Sequence, residues 1–291
     1  MYKTLHTDLT DAIFTITINR PDKLNAINAQ VMDELSEVVT EIYTNEAIRS
    51  AIITGAGPKA FVAGADISEF QGLTKEEGQA LSAKGHNIFM RIASCPKPIV
   101  AAVNGFALGG GCELAMACHF RLCTTNARFG QPEVNLGLIP GYGGTQRLTQ
   151  LVGRGRAIEI MLSGRMVDAT EAHTMGLVNY IVVETNELLT KTRERLSIIN
   201  EKAPLAVGRI IECVNIAAGD GFDNGRNEWE ADPFGGEARS DDNSSAGSGG
   251  GESPHGFLRE QQAFGECFGT EDMKEGAAAF LGKRKPVFKG K

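Results

Sequence analysis

Three consecutive glycines, Gly109, Gly110 and Gly111, stand between an apolar run at 98–103 and a second apolar run from Cys112 to Cys118. No Cβ projects from such a turn, so a ligand oxygen or another stretch of backbone can come close to its N–H groups. A helix that begins there aims unpaired N–H donors and a partial positive charge at whatever lies in front of it. An oxyanion is the natural guest. The chain must therefore fold so that a buried strand, a bare glycine turn and a buried helix follow one another, and few layouts allow that.

The remaining segments supply strands and helices in alternation. Phe14, Ile16 and Ile18 alternate with Thr15 and Thr17, which is the period of a half-buried strand, and Arg20-Pro21-Asp22 ends it. Val31, Leu35, Val38, Val39 and Ile42 fall at helical spacing behind Asn28, a residue suited to cap a helix. Further strands are predicted at 48–54, 98–103, 120–124 and 177–183, and helices at 76–92, 112–118, 154–162, 186–202 and 204–218. This order predicts an α/β fold with helices covering a partly parallel sheet.

At 291 residues, 42% of them hydrophobic, the chain can bury a large core. A formal charge of −7 opposes general binding to nucleic acid, which needs a basic surface. The amino end lacks the basic and apolar regions of a signal peptide, and no apolar run is long enough to span a membrane, so the expected compartment is the cytoplasm. The six cysteines form no CxxC pair and the five histidines no HExxH pattern, which favours reduced thiols over disulfides or a metal site. Residues 229–258 depart from all of this: 12 of the 30 are Gly or Ser, and six acids oppose the single Arg239. Such a composition predicts a flexible surface loop, with Trp229 as its anchor and a substrate lid as the alternative.

Two carboxylates draw attention. Glu113 lies inside the apolar helical run, where an unpaired charge is costly, so it is either held in a salt bridge, with Arg121 or Arg147 as partner, or tuned as a general acid or base. Glu133 follows Pro132 in a loop poor in other polar groups, and as a sequence feature it could equally be an ordinary loop carboxylate. A second small-residue turn, Phe61-Val-Ala-Gly-Ala-Asp66, offers further backbone N–H groups.

Taken together, Ala63-Gly-Ala-Asp66, Asn104-Gly-Phe-Ala-Leu-Gly-Gly-Gly-Cys-Glu113, Phe129-Gly-Gln-Pro-Glu133 and the segment Leu138 to Arg147 resemble the crotonase family, and within it the short-chain enoyl-CoA hydratases. The likeness runs from Asn19-Arg-Pro-Asp to the closing Lys283-Arg-Lys-Pro. It implies a spiral of repeated ββα units over 1–195, then a C-terminal helical region over 196–291 that mediates assembly into homotrimers or homohexamers, with 229–258 as an insertion. By the same resemblance, the N–H groups of Ala63 and Gly110 form the oxyanion hole for an acyl-CoA thioester, and Ala63, Gly64, Ala65, Asp66 and Gly110 lie against the substrate. Glu113 and Glu133 are then the catalytic pair, Glu113 activating water at the β-carbon and Glu133 exchanging the proton at the α-carbon. The implied reaction is the reversible hydration of a trans-2-enoyl-CoA, as in β-oxidation of fatty acids, with no metal and no cofactor beyond the CoA that the substrate carries.

Other chemistries on this fold, such as enoyl-CoA isomerisation or silent CoA binding, remain alternatives. His119 stands where the family often has Asp, and is expected to be structural. Tyr142 and Ile139 are candidate walls of an acyl pocket, and the basic ending from Lys283 to Lys291 could attract CoA phosphates or simply be solvated.

Overall fold

The computed structural model describes residues 2–218 and 255–289. It opens with the antiparallel pair β1 (Leu5–Thr10) and β2 (Ile13–Ile18), followed by α1 (Ala29–Thr44). Asn28 caps that helix, its side chain accepting from Val31 N at 3.0 Å. Three strand pairs come next. The apolar runs become β3 (Ser50–Gly55), β5 (Ile99–Val103) and β7 (Phe120–Thr124), and each is followed by a three-residue strand: β4 (Ala60–Val62), β6 (Phe106–Leu108) and β8 (Arg128–Gly130). Helix α2 (Lys75–Ala93) follows the first pair and α3 (Gly110–Ala117) the second. Helices α4 (Gly144–Val152) and α5 (Arg154–Ser163), strand β9 (Met166–Asp168), helix α6 (Ala169–Thr174), strand β10 (Tyr180–Val182) and helices α7 (Leu188–Asn200) and α8 (Pro204–Ala217) complete the stretch to 218.

The members of each pair part between two sheets. The longer strands form a six-stranded sheet in the order β1-β2-β3-β5-β7-β10, parallel except for β1, and the short ones form a four-stranded sheet in the order β4-β6-β8-β9. This is the expected spiral of ββα units. Every residue of β5 is buried, with Ile99, Ala101 and Val103 in the main core and Val100 and Ala102 facing a second cluster that includes Leu188 and Leu196 of α7. A parallel sheet covered on both faces reads as a continuous apolar run rather than an alternating one.

Helix α3 begins two residues earlier than the apolar run suggests, at Gly110, and all eight of its residues are buried. A Cβ on Gly111 would collide with the carbonyl oxygen of Val62, so glycine is what lets this helix lie against β4. Its other end is held by Arg121, which donates to the carbonyls of Ala115 at 3.2 Å, Cys118 at 2.8 Å and Leu177 at 2.7 Å. His119 is structural, as expected: Nδ1 accepts from Ile99 N at 2.8 Å and Nε2 lies 3.1 Å from Ala93 O. Burial pushes the imidazole down to about 4, which keeps it neutral in this bonding pattern.

Beyond 254 the chain continues as α9 (His255–Phe268) and α10 (Glu271–Leu281). The loop expected at 229–258 therefore ends sooner, because 255–258 already belong to α9, while 219–254 lies outside the described residues. Helix α9 lies along α2, with Phe268 against Gly78 and Phe264 against Gly141, and these rings join Phe70, Leu138 and Met273 in one apolar cluster. Ile139 packs on that cluster. Among the described residues no helix is long and apolar enough to cross a membrane. Replacing the Arg121 guanidinium by an apolar chain, Arg121→Met, strands the three carbonyls and should lower the unfolding free energy by about 3 kcal/mol, read from urea denaturation of the variant against the parent.

Candidate active site

Gly109 carries the chain from β6 into α3 with φ 50° and ψ −127°, a backbone that favours glycine. A Cβ there would also stand 2.6 Å from Glu133 Oε1. The first glycine of the triplet thus serves the turn and makes room for a carboxylate.

Glu113, on α3, is 1% exposed, yet it forms no ion pair with either expected arginine. Arg121 caps α3, and Arg147 donates to Tyr142 O at 2.9 Å and lies over the Phe257 ring. Glu113 is held by amides instead. Its Oε1 accepts from Tyr142 N and from Gly144 N, both at 2.7 Å, while Oε2 accepts nothing among the described residues. Glu133 opens the short 3-10 helix Glu133–Leu136. With the amide nitrogen of buried Gln131 turned toward it, Glu133 receives donors at 3.0 Å on Oε1 and 3.2 Å on Oε2.

Burial raises both carboxyls. It is the main cause for Glu113, well above the usual carboxylate range, with the nearby charges of Glu133 and Glu260 adding to it and the two amides opposing it. Burial likewise pushes Glu133 up to about 8. The charge of Glu133 acts on Glu113 and that of Glu260 on both, so proton loss from the site belongs to the group of acids rather than to either residue alone. A protonated donor and an ionised acceptor in one site is the arrangement that acid–base catalysis requires.

Both carboxyls line a cavity of about 110 Å³. Ala63, Gly64 and Ala65 form one wall and Gly109 and Gly110 another, with Phe70, Leu138, Tyr142, Phe264 and Phe280 supplying an apolar surround. Tyr142 is thus a wall residue, as expected, whereas Ile139 does not reach the cavity. Asp66 does not line it either; its carboxylate takes Arg20 at 3.0 Å and Ser68 Oγ at 2.7 Å.

One expected donor is corrected. The N–H of Ala63 is engaged, donating to Leu24 O at 3.0 Å, and so is not free for a ligand. The chain turns at Gly64, where φ is 112°. Beyond it, Ile27 N donates to Gly64 O at 2.9 Å and Asp66 N to Ile27 O at 2.7 Å, a parallel bridge that leaves the N–H of Ala65 directed away from Ile27. Ala65 N–H finds no acceptor among the described residues, and neither does Gly110 N–H at the first position of α3. Ala65 and Gly110 thus each bring to the cavity lining an amide with no acceptor among the described residues.

Sequence reasoning passed over Gln131 and also Glu260, which sits on α9 and is 3% exposed. A signal for the latter existed: Phe257, Glu260, Phe264 and Phe268 share the face of α9 that packs inward, so a carboxylate interrupts an apolar stripe.

Residues 8–232 match the family model described as Enoyl-CoA hydratase/isomerase. A short-chain-enoyl-CoA hydratase from Clostridium acetobutylicum is 41% identical over 94% of this chain and 92% of its own length. A crotonyl-CoA hydratase from Syntrophomonas wolfei is 40% identical over 99% and 98%. The crystal structure of an enoyl-CoA hydratase from Mycobacterium avium subsp. paratuberculosis superposes with a TM-score of 0.79 at 25% identity, covering 99% of this chain and all of that one. The chain belongs to the enoyl-CoA hydratase/isomerase family.

Proposed function

We propose that the chain is an enoyl-CoA hydratase that adds water reversibly across the 2,3 double bond of a short trans-2-enoyl-CoA, such as crotonyl-CoA, to give the 3-hydroxyacyl-CoA. The observation that carries this reading is the pairing of two buried acids, Glu113 and Glu133, with the amides of Ala65 and Gly110 around one small cavity. An isomerase can shift a double bond with one proton-carrying group, whereas hydration draws on two.

The thioester carbonyl accepts from the N–H groups of Ala65 and Gly110. Conjugation delivers electrons from the attacked β-carbon to that oxygen, so the substrate is its own electron sink and the chemistry calls for no metal or further cofactor. Glu113, ionised and with Oε2 open, takes a proton from the water as its oxygen bonds to the β-carbon. The enolate then collapses as Glu133 gives its proton to the α-carbon. One water is consumed, its hydroxyl ending on the β-carbon, and the proton balance is kept between the two acids. Fixed amides aimed at the developing oxyanion are worth about 3 to 4 kcal/mol each in comparable sites.

Apolar residues exposed on α8, namely Leu205, Ile210 and Val214, suit burial against a second copy and support the proposal of a homotrimer or homohexamer; we place its activity in the cytoplasm, in β-oxidation. The basic ending is partly neutralised within the chain, since Arg284 pairs with Glu275 at 2.6 Å and Lys289 with Glu271 at 3.7 Å. A role for that ending at CoA phosphates would therefore rest chiefly on Lys283 and Lys285 among the described residues.

Loss of the enoyl-thioester absorbance of crotonyl-CoA tests the reaction directly. Glu113→Gln and Glu133→Gln should each lower kcat by about a hundredfold to ten-thousandfold; full activity in both would end the hydratase reading. The pH profile tests the assignment of roles. Because burial raises the Glu133 carboxyl to about 8, it keeps its proton at neutral pH and loses it above, so kcat/KM for hydration should fall as pH rises through about 8. The residual activity of Glu133→Gln should lack that alkaline limb.

A further inference from the structure

Four consecutive amides, from Tyr142 to Thr145, point at buried carboxylates, and they alternate between two of them. Tyr142 N and Gly144 N donate to Glu113 Oε1, while Gly143 N and Thr145 N donate to Glu260, the latter at 2.8 Å. The Thr145 hydroxyl also donates to Glu260 Oε2. On the far side His86 of α2 brings Nε2 to 3.1 Å from Oε1, without the alignment of a hydrogen bond. Both oxygens of Glu260 thus accept from the start of α4, and it belongs to an element far along the chain from either catalytic acid.

Nothing in the hydration scheme uses this carboxylate, and its burial is costly. A stability argument alone does not explain why it is Glu. An amide side chain would fill the same space without charge, but its NH2 would face one of the amides, since Gly143 N donates to Oε1 and Thr145 N to Oε2. Only an acceptor on both oxygens satisfies them all. The segment these donors belong to is itself loose by composition, with Gly141, Gly143 and Gly144 in four positions and φ 101° at Gly143. A chain so rich in glycine has many alternatives to its bound conformation.

We infer that Glu260 is a positioning residue for Glu113: by holding the amides of Gly143 and Thr145, it fixes the interleaved amides of Tyr142 and Gly144 on Glu113 Oε1 and so leaves Oε2 facing the water. The inference rests on the hydratase reading. It also gives α9 a part in catalysis that its packing alone does not show. Phe264 and Phe268 seat the helix on the apolar cluster, Phe257 meets the His86 ring edge-on at 5.6 Å, and Glu260 lies between these contacts on the same face.

The test is steady-state hydration of crotonyl-CoA by the full chain and by Glu260→Gln, Thr145→Val and the double variant Glu113→Gln/Glu260→Gln. Glu260→Gln should lower kcat by about tenfold to a hundredfold, the scale expected when a catalytic group is misplaced, while KM and the Kd for the unreactive butyryl-CoA stay within about twofold. Adding Glu260→Gln to Glu113→Gln should bring no further loss, because a residue that acts through Glu113 has nothing left to position. Thr145→Val, which keeps every carboxylate, should show a smaller loss of the same kind and decides the matter if Glu260→Gln does not fold. An unchanged kcat in a folded Glu260→Gln or in Thr145→Val, a loss that appears in KM instead, or an equal further loss in the Glu113→Gln background would each overturn the inference. A parent protein that leaves crotonyl-CoA unchanged would overturn the hydratase reading, and this inference with it.

Discussion

The amino end of α4 is the contact on which the site depends. Its backbone amides supply the positive end of a helix to a carboxylate that lies wholly inside the protein. A guanidinium in the same place would have favoured the ionised form more strongly and drawn the Glu113 carboxyl down, making a weak base of it. Two amides on one oxygen hold the group in place, oppose the effect of burial only in part, and leave the second oxygen open. The basicity of Glu113 and its orientation thus come from one feature.

That feature is tolerable only because the surrounding fold is dense. Loss of solvent is the main cost to Glu113 and Glu133, and the charge of Glu260 adds to both while that of Glu133 adds to Glu113. The sheet on which they rest compensates with strands buried on both faces and with side chains such as Phe61, Phe89 and Phe129, which are fully enclosed. Glycines do the complementary work at the site. Bare α-carbons at Gly109, Gly111 and Gly144 bring α3, β4, α4 and the two acids closer than any other residue would permit.

Strands β2, β3, β5 and β7 and helices α1, α2, α5, α7 and α8 were legible because their periodicity extends over five or more residues, and Glu113 because it interrupts an apolar run; β1, α4, α9 and α10 were not read, and Glu133 stood out only through the likeness of its Phe129-Gly-Gln-Pro-Glu133 motif. The short strands β4, β6, β8 and β9 were not: three residues hold too little pattern to separate a strand from a turn. The oxyanion turn shows a different limit. Its motif locates the turn, but which amide is free depends on the positive φ of Gly64 and on where Leu24 and Ile27 lie, and that is a property of the folded chain. Glu260 failed to stand out because the sequence around it, Arg259 before and Gln261 and Gln262 after, hides a buried carboxylate among surface-like neighbours.

The docking of α9 on α2 has a consequence for how the molecule is made. Gly78 and Phe268, in contact in the finished fold, lie 190 residues apart in the chain, and contacts of such sequence separation form late. While the ribosome is still holding the final segment, the sheet and α2 can already be in place, with Phe70 and Leu138 uncovered. A half-made chain of this kind presents a sticky apolar surface around its acids, and during that interval it depends on chaperones, or on rapid release, to escape aggregation.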